Sequence, residues 1–321
     1  MAEEFRPSLN WRVPPADPND ALFGSLVSTR DIKDGFDFII AGFPFDGSML
    51  GRKGARDGPA AIRNAASKLK VGTYAARNLR KRIYDLGDFK LPGQNSHLAR
   101  ARIDAFSACM YGDARGYRQA RAIALGGDHS ITYHLAAPYL RDFSKRLVVV
   151  NLDAHLDVRA TPAGALPNSG TSFRRLIDHG LKKYVAIGLR DFQTSPTYID
   201  FARRAGAQLV SAAEVFDAGP RAIVRRILRS LRKDALIYLS IDIDVADASV
   251  APGVSAPTPG GLLAHHLFEL VRLIAADERT VAFDIVEVAP KLEKDGDRTA
   301  RLAAGCLAEI VTASPGGKLK L

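Results

Sequence analysis

Short runs of consecutive apolar residues alternate along the chain with longer segments in which apolar positions recur every three to four residues. The runs Phe36–Gly42, Arg82–Leu86, Ala122–Leu125, Leu147–Leu152, Tyr184–Ile187, Gln208–Val210, Leu236–Ile241 and Thr280–Asp284 read as β-strands. Several, such as LVVVNL at 147–152 and ALIYLSI at 235–241, lack the apolar–polar alternation of a half-exposed strand. Such runs suit strands covered on both faces, as in a parallel sheet. Between residues 220 and 233, Ile223, Ile227 and Leu231 fall at i, i+4 and i+8 with arginines opposite, the pattern of an amphipathic helix. Residues 98–111, 195–206 and 262–275 carry the same signature. This alternation predicts an α/β fold, a three-layer αβα architecture in which residues 1–321 form one domain. The ends, about 1–20 and 314–321, read as irregular.

Composition narrows the class. Hydrophobic residues make up 47% and charged residues 25%, an ordinary globular balance that excludes disorder and collagen-like architecture. The longest apolar stretches, such as Phe38–Phe45, fall far short of the ~18 residues of a membrane span. The beginning, MAEEFRPSLN, has acids and a proline where a signal peptide would be apolar. Two cysteines, Cys109 and Cys306, build no disulfide framework, so a reduced, cytoplasmic protein without a membrane partner is expected. The net charge is +10. The basic residues are dispersed, in RNLRKR at 77–82, Arg174-Arg175 and Arg225–Lys233, with no nucleic-acid-binding module beside them. A solvated basic surface that attracts anionic metabolites is therefore favoured over a nucleic-acid partner.

In open parallel sheets, ligands gather at the carboxyl ends of the strands. Four predicted strands run directly into acids or histidines: Gly126-Gly127-Asp128-His129-Ser130, Asp153-Ala154-His155-Leu156-Asp157, Asp242-Ile243-Asp244 and Ile285-Val286-Glu287. A lone Asp after a strand is more often a helix cap than a ligand. Together, however, His129, Asp153, His155, Asp157, Asp242 and Asp244 form a set of carboxylates and imidazoles without a thiolate. Four carboxylates at one site repel each other strongly in a low-dielectric cleft, and two divalent cations cancel their charge. In an extended chain the ends of DxHxD lie about 13 Å apart, so the backbone must bend after the strand and the ligands serve more than one ion. The donor set favours Mn²⁺ over structural zinc, and two such ions can share a water and lower its pKa for hydrolysis at an sp² carbon. Glu287, left over in this count, suits a cationic amidine or guanidine N–H group.

The motifs GGDHS, DAHLD, SIDIDVADASVAPGVSAPTPGG and FDIVEVAP resemble those of the ureohydrolases, the family of arginase, agmatinase and formimidoylglutamase. GFPFDGSMLGRKGARDGPAAIR at 42–63 and YDLGDF at 84–89 are similar too, and the resemblance runs from about residue 36 to 310. It implies an eight-stranded parallel sheet, a binuclear manganese cluster and a homo-oligomer, trimer or hexamer. It also implies that one ion takes His129, Asp153, Asp157 and Asp242, and the other His155, Asp153, Asp242 and Asp244. Asp157 would accept a hydrogen bond from the nucleophile, and Glu287 would hold the substrate N–H groups.

Within the family, the loop Pro167-Asn168-Ser169-Gly170-Thr171 has Ser169 where arginases and agmatinases carry a proton-shuttling histidine, and it resembles the formimidoylglutamase loop. Arg159, two residues past Asp157, could pair with a substrate carboxylate. Arg190, in a stretch similar to the arginase loop Gly188–Asp191, is a second candidate for that role. The expected substrate contacts are thus Arg159, Asn168, Ser169, Gly170 and Arg190. The expected reaction is hydrolysis of N-formimidoyl-L-glutamate to glutamate and formamide; the alternative is an agmatinase or guanidino-acid ureohydrolase that releases urea.

Overall fold

The structure, a computed structural model, describes the chain except residues 1–3, 9–10, 12–14, 18, 31–34, 71–78, 92, 94–95, 112–119, 318 and 320–321. Much of the two predicted irregular ends and the start of the basic run at 77–82 lie outside the described residues. The strands are β1 Phe5–Arg6, β2 Val27–Ser28, β3 Phe38–Gly42, β4 Ile83–Phe89, β5 Arg121–Leu125, β6 Leu147–Leu152, β7 Lys183–Leu189, β8 Gln208–Ser211, β9 Leu236–Asp242 and β10 Thr280–Val286. They form one sheet in the order β1-β4-β3-β5-β10-β9-β6-β7-β8, with β2 paired to β4. Every strand pair is parallel except β1 with β4. Eight parallel strands, β3 to β10, thus occupy the positions that the apolar runs predict. The two additions are two-residue strands at the β4 margin. Phe5–Arg6 corrects the reading of 1–20 as wholly irregular: Phe5 packs on Phe89 and is buried.

Period-two alternation, hidden in the continuous runs, decides which helices cover which face. Val148, Val150 and Leu152 of β6 join a core with Ile223, Leu267 and Leu307, whereas Leu147 and Val149 join one with Leu135, Phe173 and Tyr238. The first face is covered by α1 Gly58–Ala66, α6 Ala212–Ala218, α7 Pro220–Ser230, α8 Ala264–Ala275 and α9 Arg298–Ala313. The second is covered by α2 Ser96–Tyr111, α3 Ile131–Phe143, α4 Ser172–Asp178 and α5 Pro196–Arg204. This is the three-layer αβα arrangement. Helix α7 stops at Ser230, and Leu231, expected inside it, is already extended.

The YDLGDF segment has a structural use. Arg63 of α1, almost fully buried, donates from Nε to Asp85 at 2.8 Å and from Nη1 to Asp88 at 2.5 Å. Trp11 Nε1 donates to the same Asp85 at 2.6 Å, which ties the N-terminal segment to the sheet. The buried guanidinium is tolerated because both acids and the Gly87 carbonyl meet its donors.

Candidate metal centre

The four central strands, β5, β10, β9 and β6, are neighbours and run the same way, so their carboxyl ends meet at the middle of one sheet edge. His129 follows β5, Glu287 follows β10, Asp242 ends β9 with Asp244 in the 3-10 turn after it, and Asp153, His155 and Asp157 follow β6. The six predicted ligands are brought together. His129 Nδ1 lies 3.4 Å from Asp153 Oδ2 and 3.1 Å from both Asp157 Oδ2 and Asp242 Oδ2. His155 Nδ1 lies 3.4 Å from Asp153 Oδ1 and 3.1 Å from Asp244 Oδ2. Asp153 therefore offers one oxygen to each of two clusters, one with His129 and Asp157, the other with His155 and Asp244. A single carboxylate shared in this way is the geometry of a bridging ligand.

The backbone explains how close residues in sequence reach different clusters. After Asp153 the strand ends, and the His155 amide turns back to donate to Asp153 Oδ1 at 2.6 Å. Asp157 sits at φ 47° and Glu287 at φ 68°, the two non-glycine residues with positive φ among the described residues. Such conformations cost on the order of 1–3 kcal/mol each and persist where the surroundings over-determine them. At Gly127 the backbone comes too close for a side chain: a Cβ there would stand 1.7 Å from the Phe45 carbonyl oxygen. That packing leaves the Gly127 carbonyl to accept from the Glu287 amide at 2.9 Å.

A shell of buried polar groups aims the ligands. His129 Nε2 lies 3.0 Å from Ser240 Oγ, and Ser240 donates to Asp284 Oδ1 at 2.6 Å. With its own proton committed, Ser240 accepts, so His129 Nε2 carries a hydrogen and Nδ1 turns toward the acids. Asp284, fully buried, also accepts from Thr132 and Tyr238, each at 2.8 Å. Asn151 Nδ2 donates to Asp153 Oδ2 at 2.8 Å. Ser240, Asp284 and Asn151 were not singled out from sequence, although a polar residue inside a buried apolar strand signals a partner. Arg100 of α2 was also missed. It donates to Ser48 Oγ at 2.7 Å and to the Pro167 carbonyl, tying together the two loops that border the site.

The electrostatics fit cations. His129 Nδ1 makes no hydrogen bond although three carboxylate oxygens surround it. Burial alone would lower the His155 pKa, but the Asp244 charge and bonds to Asp153 and Asp244 overcome it and push the imidazole up to about 12. Likewise burial opposes the charge on His129, yet the Asp157 and Asp242 carboxylates 3.1 Å from its Nδ1 hold its pKa well above the ordinary value. Burial, then Asp157 and Asp244, push Asp153 up to about 6, and burial with Asp244 and Asp153 raises Asp242. Burial acts to raise Asp244 too, but His155 beside it holds it below the usual range. The raised imidazole pKa values beside these crowded carboxylates mark a site whose negative charge favours cations.

A stability prediction follows from the sign of these shifts. Imidazoles with raised pKa values make the folded state bind more protons than the unfolded one between about pH 6.5 and their folded pKa values. Metal-free protein is therefore expected to lose thermal stability as pH rises from 6.5 to 9, by up to about 1.4 kcal/mol per pH unit for each such imidazole. Asp244 shifts the other way but titrates below this window. Divalent cations should flatten the dependence and release protons on binding. Melting curves with and without chelator, and calorimetry in buffers of different ionisation enthalpy, check both; a pH-independent midpoint without metal would contradict the cluster's electrostatics.

The centre opens into a cleft of about 260 Å³ whose lining includes His155, Asp157, Asp242, Asp244 and Glu287 together with Arg159, Ser169, Gly170 and Gln193. Glu287 Oε1 accepts from the His129 amide at 2.8 Å, while Oε2, buried, has no hydrogen-bond partner. Burial and the Asp128 charge raise the Glu287 pKa well above the ordinary value, so a cationic ligand would restore its ionised form. The Arg159 guanidinium lies 5.8 Å from the centroid of Tyr198 and has no acidic partner among the described residues. Its side chain crosses Gly170, where a Cβ would stand 2.8 Å from Arg159 Cδ.

Two expected substrate contacts are placed elsewhere. Arg190 is buried, and its guanidinium donates to the carbonyls of Asp244, Val245 and Ala246 at 2.8–3.1 Å. It braces the loop after β9 and presents no free fork to a substrate. Asn168 caps the turn that follows, its side chain accepting from the Gly170 amide at 3.1 Å.

The profile described as Arginase family matches residues 36–312. The chain belongs to the arginase family. Among its relatives in the arginase family is the formimidoylglutamase of Halobacterium salinarum, 36% identical, the match covering 96% of this chain and 98% of that protein. The proclavaminate amidinohydrolase of Streptomyces clavuligerus is 33% identical, over 86% of this chain and 88% of that protein. The crystal structure of Trypanosoma cruzi formiminoglutamase with Mn²⁺ matches at a TM-score of 0.83 and 27% identity, covering 92% of this chain and all of that one. Membership of the arginase family identifies the chain as a metal-dependent hydrolase. Among the described residues no helix is long and apolar enough to cross a membrane.

Proposed function

We propose that this chain is a formimidoylglutamase that holds two manganese ions and hydrolyses N-formimidoyl-L-glutamate to L-glutamate and formamide. The observation that carries the reading is a two-cluster carboxylate–imidazole cage opening into a cleft lined by an arginine with no acidic partner among the described residues and, at Ser169, by a small hydroxyl. His129, Asp153, Asp157 and Asp242 hold one ion, and His155, Asp153, Asp242 and Asp244 the other. When bound, the pair supplies Lewis-acid polarisation and an activated water for attack at the amidine carbon.

The protein's own groups do the rest. The free oxygen of Glu287 accepts from the amidine N–H groups and fixes the carbon over the cage. Asp157, held by its left-handed backbone with its side chain only partly buried, orients the attacking water. Arg159 takes a substrate carboxylate in a bidentate pair, and Gly170 and Tyr198 set the course of its side chain. The products balance: water adds across the formimidoyl carbon, the C–N bond to the glutamate nitrogen breaks, and formamide leaves. The resemblance and the scarcity of cysteine also support a cytoplasmic homo-oligomer, trimer or hexamer.

Arg159→Ala is expected to raise KM for formimidoylglutamate by about ten- to a hundredfold, the weight of one charge-assisted pair, with kcat little changed. Steady-state kinetics check this, and an unchanged KM removes Arg159 from recognition. The activity itself is tested by purification with Mn²⁺ and measurement of formamide, urea and ammonia across candidate substrates. Arg159 and the likeness to proclavaminate amidinohydrolase favour one second reading, an amidinohydrolase of a guanidino acid. Urea in place of formamide among the products decides for it.

A further inference from the structure

The basic run Arg225–Lys233 has no part in the metal centre. It borders a second groove, of about 440 Å³, between α7, α8 and the turn before β10. Four arginines line it, Arg221, Arg225, Arg229 and Arg279, together with Val224, Leu228 and Leu273, and no acid does. Arg221, Arg225 and Arg229 stand one helical turn apart in a single file, an arrangement in which like charges destabilise a helix. Arg221 has Glu269 at 3.1 Å, and Arg279 has Asp277 at 2.7 Å. Arg225 and Arg229 have no acidic partner among the described residues. The helix macrodipole accounts for a cation in the last turn, Arg229, but not for the file.

We propose that this groove binds an organic polyphosphate of the nucleoside di- or triphosphate class. The forks of Arg225 and Arg229 take the phosphates, with Arg279 held in place by the carbonyls of Leu228 and Arg232. The apolar floor of Val224, Leu228 and Leu273 seats the flat base. The volume is that of a small-molecule site. A nucleic-acid strand would need the basic track to continue, yet the arginines flanking the groove are neutralised: Arg226 by Glu214 at 2.6 Å and Arg232 by Asp234 at 2.9 Å. Arg279 immediately precedes β10, whose opposite end carries Glu287, so the groove and the metal centre lie about 25 Å apart along the strand. Occupancy of one leaves the other open.

The test is calorimetric titration of the full chain, near physiological salt, with ATP, inorganic tripolyphosphate and a single-stranded oligonucleotide. ATP is expected to bind once per chain, more tightly than tripolyphosphate. The double variant Arg225→Ala/Arg229→Ala should weaken ATP binding at least about tenfold, while Arg203→Ala/Arg204→Ala, on the other face of the sheet, leaves it unchanged. Turnover at the metal centre should stay the same in both variants. Absence of ATP binding, equal binding by the groove variant, or tripolyphosphate binding as tightly as ATP overturns the proposal. An oligonucleotide held by the same arginines more tightly than ATP also overturns it and makes this face a nucleic-acid surface.

Discussion

Asp153→Ala is expected to lower turnover by about a thousandfold or more and to yield a purified chain that retains little manganese. Asp153 is the one carboxylate whose two oxygens face different histidines, His129 through Oδ2 and His155 through Oδ1. Its removal strips a ligand from both clusters at once. It also leaves the His155 amide and the Asn151 side chain without the acceptor they use. Loss of a ligand to one ion only, as in Asp244→Ala, should spare more metal than loss of Asp153. Elemental analysis and activity on the same preparations measure the difference. Retention of two ions per chain in Asp153→Ala, with the fold intact by circular dichroism, contradicts the bridging role.

Glu287→Gln should reduce kcat/KM by about a hundredfold without removing metal, since hydrogen bonds to charged groups are worth roughly 1.5–3 kcal/mol. Glutamine preserves the acceptor for the His129 amide but replaces the free, buried Oε2 with a donor that faces the substrate's own N–H groups. The substituted side chain also occupies a left-handed backbone position, so strain at residue 287 is the same in both proteins. The contrast between lost activity and retained metal separates substrate recognition from metal binding. Normal activity would place the amidine elsewhere in the cleft.

The sheet and the cage were legible for the same reason. Strands buried on both faces leave unbroken apolar runs, and the residue after each run falls at the sheet edge; LVVVNL followed by DAHLD, and ALIYLSI by DID, announce both. β1 escaped because a two-residue antiparallel strand leaves no periodicity, and its pairing depends on Phe5 meeting Phe89. Residues that act through others were harder to see. Ser240 and Asp284 look like parts of strands until Ser240 lies beside His129 Nε2 and donates to Asp284. Arg190 shows the opposite error: its type suits a carboxylate, but where a guanidinium points depends on tertiary packing, and here three backbone carbonyls take it. Arg159, two residues from Asp157, is held by the short chain between them and lines the cleft.

The most direct test is anomalous diffraction from crystals grown with manganese. Two peaks are expected per chain, one among His129, Asp153 and Asp157 and the other among Asp153, His155 and Asp244, with Asp153 between them. A single peak, or manganese bound only outside this cage, contradicts the binuclear centre and the hydrolase built on it.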